Sequence, residues 1–285
     1  MTIEQRIHAA EAELFGSIGV AVDESFLALA KTGLRVRLLS HGIGPSLVLL
    51  HGVSLSAAVW APLLRALPGR RLLAVELPGH GLSDPAVYRR GRVREHARQL
   101  IDDILDALEL DRVPVVGHSL GGMFALWHMA TGAVRISSLV AIGDPAVALP
   151  GVRVRMPLSL LTVRGLGWVV LRSPSPHPVY RRMLAQGLGY AEAAAAPEAL
   201  IEALRLSARR PQNASTVASL MHAIDRFRRP RPDSVLTAAE LAAIPTATMF
   251  IWGSEDPYLS PEDARRSIDQ IPRSTKCPGA TLHGS

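Results

Sequence analysis

The sequence predicts an α/β fold: a mostly parallel central sheet with helices on both faces, interrupted by an inserted helical lid. Three observations carry this. Strand-like and helix-like stretches alternate from Leu34 to Ile142. Within them, Val113–Val116 is apolar throughout, as expected of a strand covered on both faces. The alternation then stops between Pro145 and about Ala243 and resumes after Pro245. Alternation of this kind builds βαβ units, and βαβ units build parallel sheets.

Met1–Phe15 has Ile3, Ile7, Ala10 and Leu14 at helical spacing, which predicts a short amphipathic helix. Its Glu4, Glu11 and Glu13 and the lack of a continuous apolar stretch exclude a signal peptide. Leu34–Leu39 and Leu47–Leu50 are predicted strands, Ala58–Leu67 a helix and Arg71–Glu76 a strand. Val93–Leu108 carries Val93, Ala97, Leu100, Ile101, Ile104, Leu105 and Leu108 on one helical face. Strand Val113–Val116, helix Leu120–Ala130 and strand Ile136–Ile142 follow. From 145 to 243 the chain is rich in Pro, Arg and Ala and predicts helices, most strongly at Ala193–Ala196 and Pro197–Arg210. Thr246–Trp252 is the next strand, and Pro261–Gln270 a helix with proline at its start. Ser274–Cys277 offers a weak last strand. The expected organisation is therefore a core from residues 1–144, a lid from 145–243 and a second core part from 244–285.

Composition excludes several classes of protein. A hydrophobic share of 48% in 285 residues is enough to bury a large core, which argues against disorder. Cys277 is the only cysteine, so neither a disulfide framework nor a multi-cysteine metal site is possible. The formal charge is +6, carried almost wholly by arginine. The densest cluster is Arg226, Arg228, Arg229 and Arg231, interrupted by Pro230. Without a recognition motif or interleaved aromatics, this favours a solvated basic face over a nucleic-acid surface. Attraction of an anionic ligand or lipid surface is the second reading. The most apolar later stretch, Leu158–Leu171, is broken by Arg164, Gly165 and Gly167 and is too short to span a bilayer. A cytoplasmic protein with no integral membrane association is expected.

Chemistry concentrates at strand ends. Gly117–His118–Ser119–Leu120–Gly121 is a G-x-S-x-G pentapeptide lying between an apolar strand and a helix. This strand–turn–helix setting exposes the serine on a turn too tight for side chains two residues to either side. At the carboxyl edge of a parallel sheet, such a serine sits where open α/β folds bind ligands. A serine that attacks acyl groups needs N–H donors for the developing oxyanion. The residue after the nucleophile, Leu120, offers one, and the loop His51–Gly52–Val53 offers a second, most suitably at Val53. His51 itself, and His80 in the tight loop Pro78–Asp84, are expected to stabilise their loops. The serine also needs a base, and the base an orienting acid. Asp256 follows strand Thr246–Trp252, and His283 is the only histidine downstream of it. Asp144, after strand Ile136–Ile142, is the rival acid.

With these pieces in order, the sequence resembles the lid-bearing serine hydrolases of the α/β-hydrolase fold superfamily. HGV at 51–53, PGHGLSDP at 78–85, GHSLGG at 117–122 and GSEDP at 253–257 carry the resemblance, and Cys277–His283 is similar to the family's Pro-Gly-x-x-His loop. It implies Ser119 as nucleophile, Asp256 as acid, His283 as base and the amides of Val53 and Leu120 as oxyanion donors. It also implies a mechanism without cofactor or metal. Serine rather than aspartate at the elbow sets the chain apart from the dehalogenase and epoxide-hydrolase branches. HGV in place of HGGG sets it apart from the hormone-sensitive-lipase type. The chain stops two residues after His283, where the family continues into a last helix. The expectation from this short end is weak activity, marginal stability and uncovered apolar sheet surface. The functional expectation is hydrolysis of the carboxylic ester of a small apolar molecule. The alternatives are carbon–carbon bond hydrolysis or perhydrolysis by the same triad, and a non-catalytic ligand-binding protein. The substrate itself and the oligomeric state are not written in the sequence.

Overall fold

Strands that leave the sheet through helical crossovers return to it in the same direction, and six of the eight strands here are parallel. The computed structural model describes residues 1–154, 158–163, 165–173, 176–254 and 256–277. Helix α1 (Ile3–Ser17) opens on a capping box: Thr2 Oγ1 accepts from the Gln5 N–H while the Gln5 side chain accepts from the Thr2 N–H. The sheet follows in the order β1 (Asp23–Ala28), β2 (Arg35–His41), β4 (Arg71–Val75), β3 (Ser46–Leu50), β5 (Val113–His118), β6 (Ile136–Ile142), β7 (Ala247–Ile251) and β8 (Ser274–Cys277). Only the pairs β1–β2 and β2–β4 are antiparallel. The weak stretch Ser274–Cys277 is a strand, paired in register with Thr248–Ile251.

Alternate residues of the central strands face two different cores, as the period of two requires. Val48, Leu50, Leu73, Val75 and Val115 point to one side, where α3 (Val93–Ala107), α4 (Leu120–Met129) and α11 (Pro261–Ile268) cover them. Leu49, Leu72, Ala74 and Val116 point to the other, against Leu14 and Phe15 of α1 and Leu64 of α2 (Ala61–Ala66). The segment predicted as one helix from Ala58 is a 3₁₀ turn, Ala57–Trp60, followed by α2. Pro62 at the start of α2 suits this break, because proline fits a first helical turn.

Between β6 and β7 the described residues hold α5 (Leu166–Arg172), α6 (His177–Leu188), α7 (Tyr190–Ala195), α8 (Glu198–Ala208), α9 (Pro211–Ile224) and α10 (Ala238–Ala242). The only β pairing there, among the described residues, is the isolated bridge Asp225–Pro230. The helical insertion is anchored to the N-terminal helix as well as to the sheet. Leu200, Ile201 and Leu204 of α8 share a core with Leu14 and Phe15 of α1. Arg6 of α1 pairs with Glu202 at 3.1 Å, and Glu4 with Arg210 at 3.4 Å.

Two features escape a sequence reading. Strand β1 is exposed at nearly every position, so it lacks the alternation that marks a half-buried strand. Arg37 on β2 is 2% exposed and binds three carboxylates, Glu11 of α1, Glu24 of β1 and Glu76 after β4. In the sequence, arginine within a strand marks an outward position. Here three acids from three elements close over it.

Candidate active site

The end of β5 turns into α4 through Ser119, whose backbone stands at φ 45° and ψ −104°. A non-glycine residue at positive φ is strained, and such strain persists where the surroundings force it. Those surroundings are close. A Cβ on Gly117 would lie 2.6 Å from the Gly122 nitrogen, and one on Gly121 would lie 2.2 Å from the Leu50 carbonyl oxygen. The turn is fixed by backbone bonds: Ser119 N–H donates to the Ile142 carbonyl at 3.1 Å, and Gly121 N–H to the His51 carbonyl at 3.1 Å. The elbow is thus tied to β6 on one side and to the loop after β3 on the other. Ser119 is half-buried, and Leu120 is the first residue of α4. Its N–H and that of Val53 have no acceptor among the described residues. Both are candidate donors to a developing oxyanion, and that of Leu120 lies at the positive end of the helix dipole.

The histidines near the serine are placed to hold loops. His51 is fully buried; its Nε2 accepts from the Leu77 N–H at 3.0 Å, so Nδ1–H donates to the Gly52 carbonyl at 2.8 Å. Burial, reinforced by the nearby His80 and His118, pushes its pKa well below the ordinary histidine value. His80 is 2% exposed and donates from Nδ1 to the Pro78 carbonyl at 3.0 Å. Burial pushes it down to about 4. The two rings meet at 4.9 Å between centroids, so the HGV and PGHG loops brace each other through neutral imidazoles. His118 packs beside Gly52 and Gly143, between the loops that follow β3 and β6.

Both candidate acids arrive at one place. Gly143 N–H donates to the Ile251 carbonyl at 2.8 Å, which aligns the ends of β6 and β7. Asp256 is half-buried and its carboxylate accepts three backbone N–H groups, from Asp144 at 3.1 Å, Tyr258 at 2.9 Å and Leu259 at 3.3 Å. Asp144 is 4% exposed, and its Oδ1 has no hydrogen-bond partner among the described residues. Burial, and then the charge of Asp256, push the Asp144 carboxyl well above the usual carboxylate range. The sequence treats the two aspartates as rivals; their geometry makes them neighbours with different environments. His283 and Glu255 lie outside the described residues.

A narrow cavity of about 10 Å³, roughly the space of one water, lies against this region. Ser54, Leu55, Gly79 and His80 form its core side, and Leu171, Ala208, Ala214 and Val217 belong to the helical insertion. Its walls mix apolar side chains with the polar Ser54, His80, Ser207 and Asn213. Asn213 is 2% exposed and donates to the carbonyls of Gly81 and Ser207, which fastens α9 to the PGHG loop.

A strained serine between a parallel strand and a helix, with an acid at a neighbouring strand end, defines a class before any comparison is made. A family model described as the alpha/beta hydrolase fold matches residues 45–283. The chain belongs to that family and is an α/β hydrolase. A 2-hydroxy-6-oxononadienedioate/2-hydroxy-6-oxononatrienedioate hydrolase of Cupriavidus pinatubonensis is 28% identical over 254 residues, covering 85% of this chain and 82% of that one. A pimeloyl-[acyl-carrier protein] methyl ester esterase of Nitrosospira multiformis is 35% identical over 103 residues, 35% of this chain and 39% of that one. Among solved structures, naproxen esterase from Bacillus subtilis superposes with a TM-score of 0.70 at 17% identity, over 97% of this chain and 90% of that one. At that identity the likeness concerns the fold. No helix among the described residues is long and apolar enough to cross a membrane.

Proposed function

We propose that this α/β hydrolase cleaves a carboxylic ester of a small apolar molecule through an acyl-enzyme. Ser119 Oγ attacks the acyl carbon, and His283 takes its proton. Asp256 orients the imidazole, and the N–H groups of Val53 and Leu120 receive the oxyanion. The protonated His283 then gives its proton to the leaving alcohol. Water, activated by the same histidine, releases the acid and restores the serine. Residues 145–243 act as a lid over a core formed by 1–144 and 244–285. The observation that carries this reading is Ser119 itself, held in a strained turn at the N-terminus of α4, where the Leu120 N–H has no acceptor among the described residues. The assignment of His283 rests on the chain order Ser119, Asp256, His283.

One observation favours a second reading. A relative that spans most of this chain is a hydrolase whose substrate name contains a ketone and two carboxylates but no ester. Hydrolysis at such a ketone breaks a carbon–carbon bond, and the same serine, base and oxyanion donors suit it. The apolar side chains Leu55, Leu171, Ala214 and Val217 close over this region, which favours an uncharged acyl or alcohol group over a dicarboxylate.

A fluorophosphonate probe followed by a panel of nitrophenyl esters tests the reading. Labelling is expected on Ser119 and lost in Ser119→Ala, with ester turnover rising with acyl length. A folded protein that resists the probe overturns the mechanism. Labelling with no ester turnover, but with cleavage of a vinylogous diketone, moves the reaction to carbon–carbon hydrolysis. Removing residues 281–285 is expected to abolish turnover, and unchanged turnover excludes His283 as base.

A further inference from the structure

The helical insertion carries a basic and apolar face that hydrolysis does not use. After α9 the chain folds back on itself: Asp225 bridges Pro230, and Arg226 N–H donates to the Arg229 carbonyl at 2.8 Å. The two tip residues, Phe227 and Arg228, both stand in the left-handed region, at φ 44° and 69°. A two-residue hairpin of this hand prefers Asn-Gly, and bulky residues there cost conformational energy. The chain nonetheless places an aromatic ring and a guanidinium at the tip, with Phe227 55% exposed.

The hairpin is locked to its surroundings. Phe227 N–H donates to Thr162 Oγ1 at 3.1 Å, and the Thr162 carbonyl accepts from His222 Nδ1 at 2.9 Å. Arg90 contacts His222 Nε2, and Arg231 donates to the His222 carbonyl. Beside this node Val163 and Val87 are exposed across a shallow cleft, and α5, which packs on α9, carries Leu166, Trp168 and Val169 exposed. A second cleft has walls made of Arg226, Arg229, Arg231, Pro230 and Pro232. A third joins Arg153 to Phe227, Arg228 and Arg229. Among the described residues, none of Arg153, Arg226, Arg228 and Arg229 makes an ion pair within the chain. Asp225 is fully buried, which leaves Asp233 as the exposed carboxylate of the segment 225–233.

We propose that this face docks onto an anionic lipid surface, with Phe227 and the neighbouring aliphatic side chains entering the headgroup boundary and the arginines binding lipid phosphates. Charge complementarity selects an anionic partner. The apolar side chains select a lipid surface from among the anionic partners. Val87, Val163, Leu166 and Val169 offer nothing to a phosphodiester backbone or a nucleobase edge, whereas a basic face with protruding apolar groups suits the membrane interface. Guanidinium-lined clefts match phosphate by fork geometry.

Co-sedimentation of the whole chain with vesicles tests this. Vesicles of phosphatidylcholine mixed with phosphatidylglycerol are expected to bind the protein, vesicles of phosphatidylcholine alone are not, and high salt is expected to release it. Arg228→Glu with Arg229→Glu is expected to weaken binding by about tenfold or more, since each juxtamembrane charge contributes measurably. Phe227→Trp is expected to add an indole emission, read as the difference from wild type, that moves to the blue on binding. If the double charge variant does not fold, Arg226→Gln with Arg229→Gln reads the same face with a smaller perturbation. Equal binding by wild type and charge variants overturns the proposal, as does absence of any anionic-vesicle binding. A difference emission that vesicles leave unchanged overturns the insertion of the hairpin tip. Preference for duplex DNA or for an acidic protein over anionic vesicles reassigns the face and overturns the lipid surface. None of these readouts depends on turnover.

Discussion

At the scale of the residue, Ser119 combines strain with access. Its substitution by alanine is expected to leave the fold intact, because its backbone bonds to Ile142 and Met123 survive the loss of the hydroxyl. Turnover is expected to fall by about 10⁴–10⁶ in kcat, as when a triad nucleophile is lost; kinetics on a responsive ester, beside a melting curve, measure both. The paired aspartates separate just as clearly. Asp256→Asn places an amide among three backbone N–H groups that now aim at a carboxylate, and it is expected to cost about 10⁴ in kcat if the residue orients the base. Asp144→Asn keeps the backbone N–H that holds Asp256 and replaces a buried acid by a neutral isostere, so kcat is expected to change far less. A reverse ranking moves the acid to Asp144. The serine, its flanking glycines and the two aspartates were legible because each sits next to a recognisable strand end. The contact between the two aspartates was not, since nothing in a linear sequence tells which strand ends adjoin. Phe227 and Arg228 were also beyond reach, because side chains of that kind signal no left-handed turn.

At the scale of the element, Arg37 joins α1, β1, β2 and the loop after β4. Glu76 is its innermost partner: buried, with Oε2 accepting from the Leu82 N–H at 2.7 Å and the carboxylate filling the space where a Cβ on Gly81 would stand. Burial raises the Glu76 carboxyl to about 7, with Arg37 opposing and Glu11 adding to the rise. A carboxyl raised in this way favours the fold most below its unfolded value of 4.5, and that contribution is lost as the pH rises through about 7. Glu76→Gln removes the titration and keeps a carbonyl for Leu82. It is expected to flatten the stability curve between those pH values, whatever uniform cost its extra N–H imposes. Denaturant melts at acidic, neutral and mildly alkaline pH check this; an unchanged slope rejects the assignment. The central strands and α3 were readable because apolar spacing there matches one period at a time. The exposed β1 and the network around Arg37 were not, because the partners come from elements far apart in the chain and cancel its polarity only once folded.

At the scale of the molecule, the two cores are joined by chain segments from distant parts of the sequence. The amphipathic face of α1 was visible beforehand, but its role was not: part of that face lies against α8, within the insertion, so the N-terminal helix straps the insertion to the sheet. Amide hydrogen exchange should reveal what the strap does. Backbone positions that open together exchange together. The amides of α8 are therefore expected to exchange at the pace of α1 and the strands, while α5 and α6, with more exposed faces, exchange sooner. Leu14→Ala with Phe15→Ala removes the buried wedge between α1 and α8, a loss of about 3–5 kcal/mol for the aromatic side chain alone. In that variant α8 is expected to join the fast-exchanging helices, becoming labelled on the timescale of α5 while the strands stay slow.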